Sequence, residues 1–216
     1  MLRKHVIISG TGRTGTTFLV QLLTHLGLDT GFDSNTMEVL PAARDARIGP
    51  GDLFPMARAG LEMDIRVANA PYIVKTPFLC DWIETVLESS IRIEHAIIPV
   101  RSFEAAAASR ACVQEQMTGS ADGDQLVPGG LWGTQRARRQ ADVLRLKFTK
   151  LIAALVSHDI PMTFLSYPRL VRDCDYLYAK LRFLVSDIDA GAFRKAFDSV
   201  VRPEWVHEFT PKHGTD

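Results

Sequence analysis

The sequence predicts an α/β fold, a three-layer doubly wound parallel sheet, and three features carry that expectation. Short β-branched runs alternate along the chain with stretches whose apolar residues recur at helical spacing. A glycine-rich turn joins the first such run to the first such stretch. The length of 216 residues suits one domain and is short for two. Strands that alternate with helices pair in parallel through right-handed crossovers, which places helices on both faces and a ligand at the carboxyl ends of the strands.

His5–Ser9 reads as the first strand, and TFLVQLLTHLG as a helix with Phe18, Leu19, Leu22, Leu23 and Leu26 on its apolar side. The Gly-, Asp-, Asn- and Pro-rich stretch at about 29–55 is expected to be a loop across the end of the sheet. Tyr72–Lys75 is a second strand and CDWIETVLESS a helix; Ala96–Val100 is a third strand and the Ala-rich SFEAAAASRACVQEQ a helix. A second loop is expected at about 117–130, then a long helix from about Leu131 to His158 and a fourth strand at Met162–Ser166. Helices from about Arg169 to Leu184 and from about Ala190 to Val201 complete a single domain over 1–216, and the tail from Arg202 is expected to wrap or fray.

Lys plus Arg is 25 and Asp plus Glu is 25, so the chain lacks the bulk positive field of non-specific nucleic-acid binding, and any anion site must be local. A hydrophobic share of 46% with 23% charged residues fits a globular chain rather than a disordered one. The apolar run before Gly10 is too short for a signal segment or a membrane span. Cys80, Cys112 and Cys174 are odd in number and widely spaced, which suggests neither a disulfide framework nor a zinc site, and makes a reducing cytoplasm the expected setting.

Gly10-Thr11-Gly12-Arg13-Thr14-Gly15-Thr16-Thr17 has the frame GxxxxGx[ST] between a strand and a helix, where backbone N–H groups can cradle an anion at the helix N-terminus. A Walker A loop carries Lys after its second glycine; here that position is Thr16, and the nearest cation is Arg13. The third strand ends in Arg101, where a kinase would want an Asp for Mg²⁺. The composition of the site points to an anion held without a metal.

Arg13-Thr14-Gly15-Thr16-Thr17-Phe18 resembles the 5′-phosphosulfate loop of the sulfotransferases that use 3′-phosphoadenosine 5′-phosphosulfate (PAPS), in particular the small bacterial type. Arg101 and Ser109, spaced Arg-x7-Ser in IIPVRSFEAAAASR, resemble that family's 3′-phosphate motif; a strand-end Arg can fork onto a phosphate and a helical Ser can add a hydroxyl donor. Lys75-Thr76-Pro77 is similar to the Lys segment that the family places beside the sulfuryl group, and Tyr167 to a Tyr near the adenine, although Pro168 and Arg169 replace the family's acidic residues. The resemblance implies an enzyme moving a sulfuryl group from PAPS to a hydroxyl of a small-molecule, glycan or lipid acceptor. It also implies that Gly12, Arg13, Thr14, Gly15, Thr16, Thr17, Arg101, Ser109 and Tyr167 bind the cofactor, with Arg13 and Lys75 stabilising charge on the leaving phosphate.

An acceptor hydroxyl needs a base. The family's usual His after Lys-Thr is replaced by Pro77; other branches take a Glu shortly after the first helix, which points here to Asp33 or Glu38, with His207 in reserve. Asp33 as an Asx-turn residue and Glu38 as a solvated charge stand as the alternatives. The acceptor pocket is expected between the 29–55 segment and the loop before Trp132, while Arg136, Arg138 and Arg139 read as a solvated helix face. A P-loop kinase and a non-catalytic nucleotide-binding module remain the other two readings of the same loop.

Overall fold

The computed structural model describes residues 3–46, 60–125 and 127–203. Four strands, β1 (Arg3–Ile8), β2 (Ile73–Lys75), β3 (Ile91–Val100) and β4 (Met162–Ser166), form an all-parallel sheet in the order β2-β1-β3-β4. The chain therefore steps from β1 to one edge, then crosses back past β1 to build the other. Among the described residues six α-helices flank the sheet: α1 (Thr16–His25), α2 (Ile83–Leu87), α3 (Phe103–Thr118), α4 (Gln140–Ser157), α5 (Cys174–Leu181) and α6 (Ala190–Val200). They pack in two groups, α1 with α6 and α5, and α3 with α4 and α2, an arrangement compatible with a three-layer α/β fold.

Central strands of a parallel sheet are covered on both faces, and Ile7, Ile8, Ile97 and Ile98 are accordingly buried without exposure. Edge-on aromatic pairs tie the helices of each group: Phe18 to Phe197 at 5.5 Å between α1 and α6, and Phe103 to Phe148 at 5.6 Å between α3 and α4. Caps fix the helix starts. Ser102 Oγ accepts from Ala105 N at 3.1 Å, and Asp189 Oδ1 from Gly191 N and Ala192 N at 2.8 and 3.0 Å.

Three helices expected from periodicity are shorter than the sequence suggested. The stretch from Leu131 stays irregular as far as Arg136: Gly133 adopts φ 71°, and the Gln140 side chain closes on Trp132, accepting from its N–H at 2.7 Å and donating to its carbonyl at 3.1 Å. After a 3₁₀ turn at Ala137–Arg139, α4 begins. The stretch from Arg169 divides into a 3₁₀ turn and α5, because Asp173 is extended and caps α5 by accepting from Tyr176 N at 2.9 Å. Likewise Trp82, at φ −143°, separates a 3₁₀ turn from α2. Strand β3 is longer than expected, since Ile91 and Ile93 turn inward in alternation with Arg92 and Glu94.

Positions 47–55 of the first expected loop, position 126 of the second, and the tail from 204 with His207 and His213 lie outside the described residues. No described helix is long and apolar enough to cross a membrane.

Burial pushes both His5 and His95 below the ordinary histidine value of 6.5. The folded state thus favours their neutral forms, and their contribution is complete above about pH 6.5 and declines as pH falls below it. Urea unfolding should give a lower free energy at about pH 5.5 than at about pH 7.5, and His95→Gln should reduce that difference.

Candidate functional site

A cavity of about 440 Å³ opens where β1 and β3 end, at the point where the strand order reverses. The first wall is the glycine turn. Gly12 and Gly15 sit at φ 67° and 84°, and even Arg13 is left-handed at φ 58°, so consecutive residues bend the backbone around a concave face. A side chain there is strained by the backbone and crowded as well: a Cβ on Gly15 would stand 3.0 Å from Leu170 Cδ1 and 3.3 Å from the Tyr167 ring. Gly15 caps α1 without a side-chain acceptor, and no acidic residue occupies the first turn, so neither the cap nor the first turn offsets the positive end of the helix. Thr14 Oγ1 is buried and without a partner among the described residues.

Arg13 Nε donates to Ser109 Oγ at 3.0 Å, which links the turn to α3, and Arg101 Nη1 donates to the Arg13 carbonyl at 3.3 Å. The Arg101 guanidinium lies 4.9 Å from the Tyr167 ring centre. Desolvation, then the charge of Arg13, holds Arg101 below the usual arginine value, so these cations crowd one another. Gly12, Arg13, Gly15, Thr16, Thr17, Lys75, Arg101, Ser109 and Tyr167 all line the cavity; the motifs read separately in sequence are one place in space.

Lys75 ends β2 and is 3% exposed. Its ammonium donates to Thr17 Oγ1 at 2.8 Å and to the Gly60 carbonyl, and pairs with Glu62 Oε1 at 2.9 Å. Glu62 is itself 3% exposed, and its other oxygen accepts from Gly60 N at 3.2 Å. Among the described residues it is the one carboxylate lining the cavity. Little in the sequence marks it, since a Glu between Leu61 and Met63 reads as one polar residue in an irregular stretch. Arg110 was also missed: it is 4% exposed and borders the cavity. Its signal was a lone cation one helical turn after Ala106 and Ala107, both buried.

Asp33 and Glu38 do not line the cavity, and neither does any other described residue of the 29–46 segment. Asp33 forms an Asx turn, with Oδ1 accepting from Asn35 N and Thr36 N, both at 2.9 Å, and from Thr36 Oγ1 at 3.1 Å. The Thr36 and Asn35 amides, followed by the Thr36 hydroxyl, hold its carboxyl below the usual aspartate value, which opposes a role as base. Glu38 is exposed. Of the loop before Trp132, Gly129 reaches the cavity, whereas Trp132 packs edge-on against Phe78 at 5.1 Å. Arg136 is paired with Asp122 at 3.3 Å, as suits a solvated surface.

Compared with protein-family models, curated proteins and solved structures, the chain finds no match in any of the three.

Removing one member of a buried ion pair strands the other. Lys75→Met should therefore lower the unfolding free energy by about 3–5 kcal/mol, and Lys75→Met combined with Glu62→Gln should recover most of the loss in a urea titration.

Proposed function

We propose that the chain is a PAPS-dependent sulfotransferase, carrying its phosphate loop on a doubly wound sheet. The observation that carries this is the convergence, in one cavity, of an uncapped α1 N-terminus with Arg13, Arg101 and Ser109. The residues fit a doubly phosphorylated nucleotide. The concave loop is tight at Gly15, where a Cβ would stand 3.0 Å from Leu170 Cδ1, the cavity of about 440 Å³ is within the range of small-ligand sites, and two separate cationic groups flank it. PAPS, when bound, supplies an activated sulfuryl group and departs as adenosine 3′,5′-bisphosphate.

The chain's own groups divide the work. The amides of Gly15 to Thr17, the hydroxyls of Thr16 and Thr17 and the Arg13 guanidinium hold the 5′-phosphate, with Lys75 held against Thr17 as a further positive charge. Arg101 and Ser109 hold the 3′-phosphate, and the Tyr167 ring offers a face to the base. Arginine keeps its proton at working pH, so Arg13 stabilises charge and transfers none. Glu62 replaces Asp33 and Glu38 as the base: among the described residues it is the carboxylate lining the cavity, and it would take the acceptor's proton beside Lys75. Thr16 in place of a phosphate-loop lysine, and a carboxylate, the one among the described cavity residues, already engaged by Lys75, are a poor donor set for the magnesium nucleotide of a kinase.

Incubation with PAPS and a mixed panel of phenols, alcohols and glycosides, read by mass spectrometry, should yield a product bearing one added SO₃; no transfer to any hydroxyl class would count against the assignment. In the same assay Glu62→Gln should lower turnover by about 10²–10⁴-fold while affinity for adenosine 3′,5′-bisphosphate stays near wild type. Asp33→Asn should remain active.

A further inference from the structure

We propose that Arg110 is an anion-binding residue that supplies, from beneath the glycine turn, the positive charge that position 16 lacks. Four observations meet at this side chain. First, it stands directly under the loop: Nη2 donates to the Thr11 carbonyl at 2.9 Å, and a Cβ on Gly12 would lie 2.6 Å from that same nitrogen, so the loop backbone rests on the guanidinium. Second, Arg110 is 4% exposed and has no ion pair among the described residues; there it also donates from Nη1 to the Gly130 carbonyl at 2.8 Å and lies 5.3 Å from the Trp132 ring. Third, Nε is buried without a partner among the described residues. Fourth, the side chain borders the cavity that the loop encloses.

A buried cation with no counter-ion is costly to the folded chain, and an anion in the cavity is the charge that would offset it. Burial above all, and then the nearby charge of Arg13, pull the Arg110 guanidinium down to about 9, so its environment disfavours the cation unless a negative group arrives. Carbonyl partners cannot neutralise it; they only fix its plane. A phosphate loop with lysine reaches over its anion from the helix, whereas here the charge comes from α3, one residue after Ser109.

The inference rests on the glycine turn being an anion site, as proposed above, but not on which anion it takes. Two probes separate the two claims: adenosine 3′,5′-bisphosphate and inorganic pyrophosphate, titrated calorimetrically against the wild type, Arg110→Gln and Arg110→Lys. The expected result is a loss of affinity of about ten-fold or more for both probes in Arg110→Gln, as for a charge-assisted contact, with the ligand-free melting temperature unchanged or raised. Arg110→Lys, which keeps the charge and loses the fork, should stay within a few-fold of wild type. Wild-type affinity in Arg110→Gln, or an equal loss in Arg110→Lys, would overturn the proposal; should Arg110→Gln fail to fold, the lysine variant decides it. Pyrophosphate binding that depends on Arg110, with no binding of the bisphosphate, would leave Arg110 its role and remove the PAPS reading. Bisphosphate binding indifferent to Arg110 would do the reverse, and a wild type that binds neither probe would overturn both.

Discussion

The structure turns on the crowding of positive charge at the carboxyl edge of the sheet. Arg13, Arg101 and Arg110 face one cavity, each of the latter two held below the usual arginine value in part by Arg13. Lys75 is nearby but already balanced by Glu62. Like charges gathered in a partly dry site repel, and an anion bound among them would relieve the repulsion. The loop glycines, the N-terminus of α1 with no acidic residue in its first turn and the buried Ser109 hydroxyl all have a physical purpose if the relief is an anion.

Topology creates the crowding. With the order β2-β1-β3-β4, the segments leaving β1 and β3 diverge to different helices, and the gap between them is where a cleft must open. The glycine turn leaves β1 on one side of that gap, Arg101 leaves β3 on the other, and Lys75 closes β2 one strand away. A chain whose charges sum to zero can thus be strongly positive in one cleft, because strand ends bring together residues far apart in sequence.

What could be read from the sequence followed from locality. The glycine turn lies between β1 and α1 as a contiguous run, and the Arg101 to Ser109 spacing is set by one helix, so both were visible and both face the cavity. The strands were legible for the same reason, apart from the alternating start of β3 at Ile91–His95. Helix ends were not: the Trp132–Gln140 clasp and the Asp173 cap are side-chain choices that compete with an otherwise helical pattern. Glu62 and Arg110 were invisible because burial, rather than type or spacing, makes them noteworthy, and burial depends on contacts across the chain. Asp33 failed as a base for the converse reason. Its local sequence, DSNT, makes a turn that uses up its carboxylate at the surface.

The most direct measurement of the central claim is a thermal-shift comparison of adenosine 3′,5′-bisphosphate, without divalent cation, against ATP with Mg²⁺. The cation-lined cleft predicts clear stabilisation by the bisphosphate and little by the magnesium nucleotide. Stabilisation by ATP with Mg²⁺ and none by the bisphosphate would contradict it.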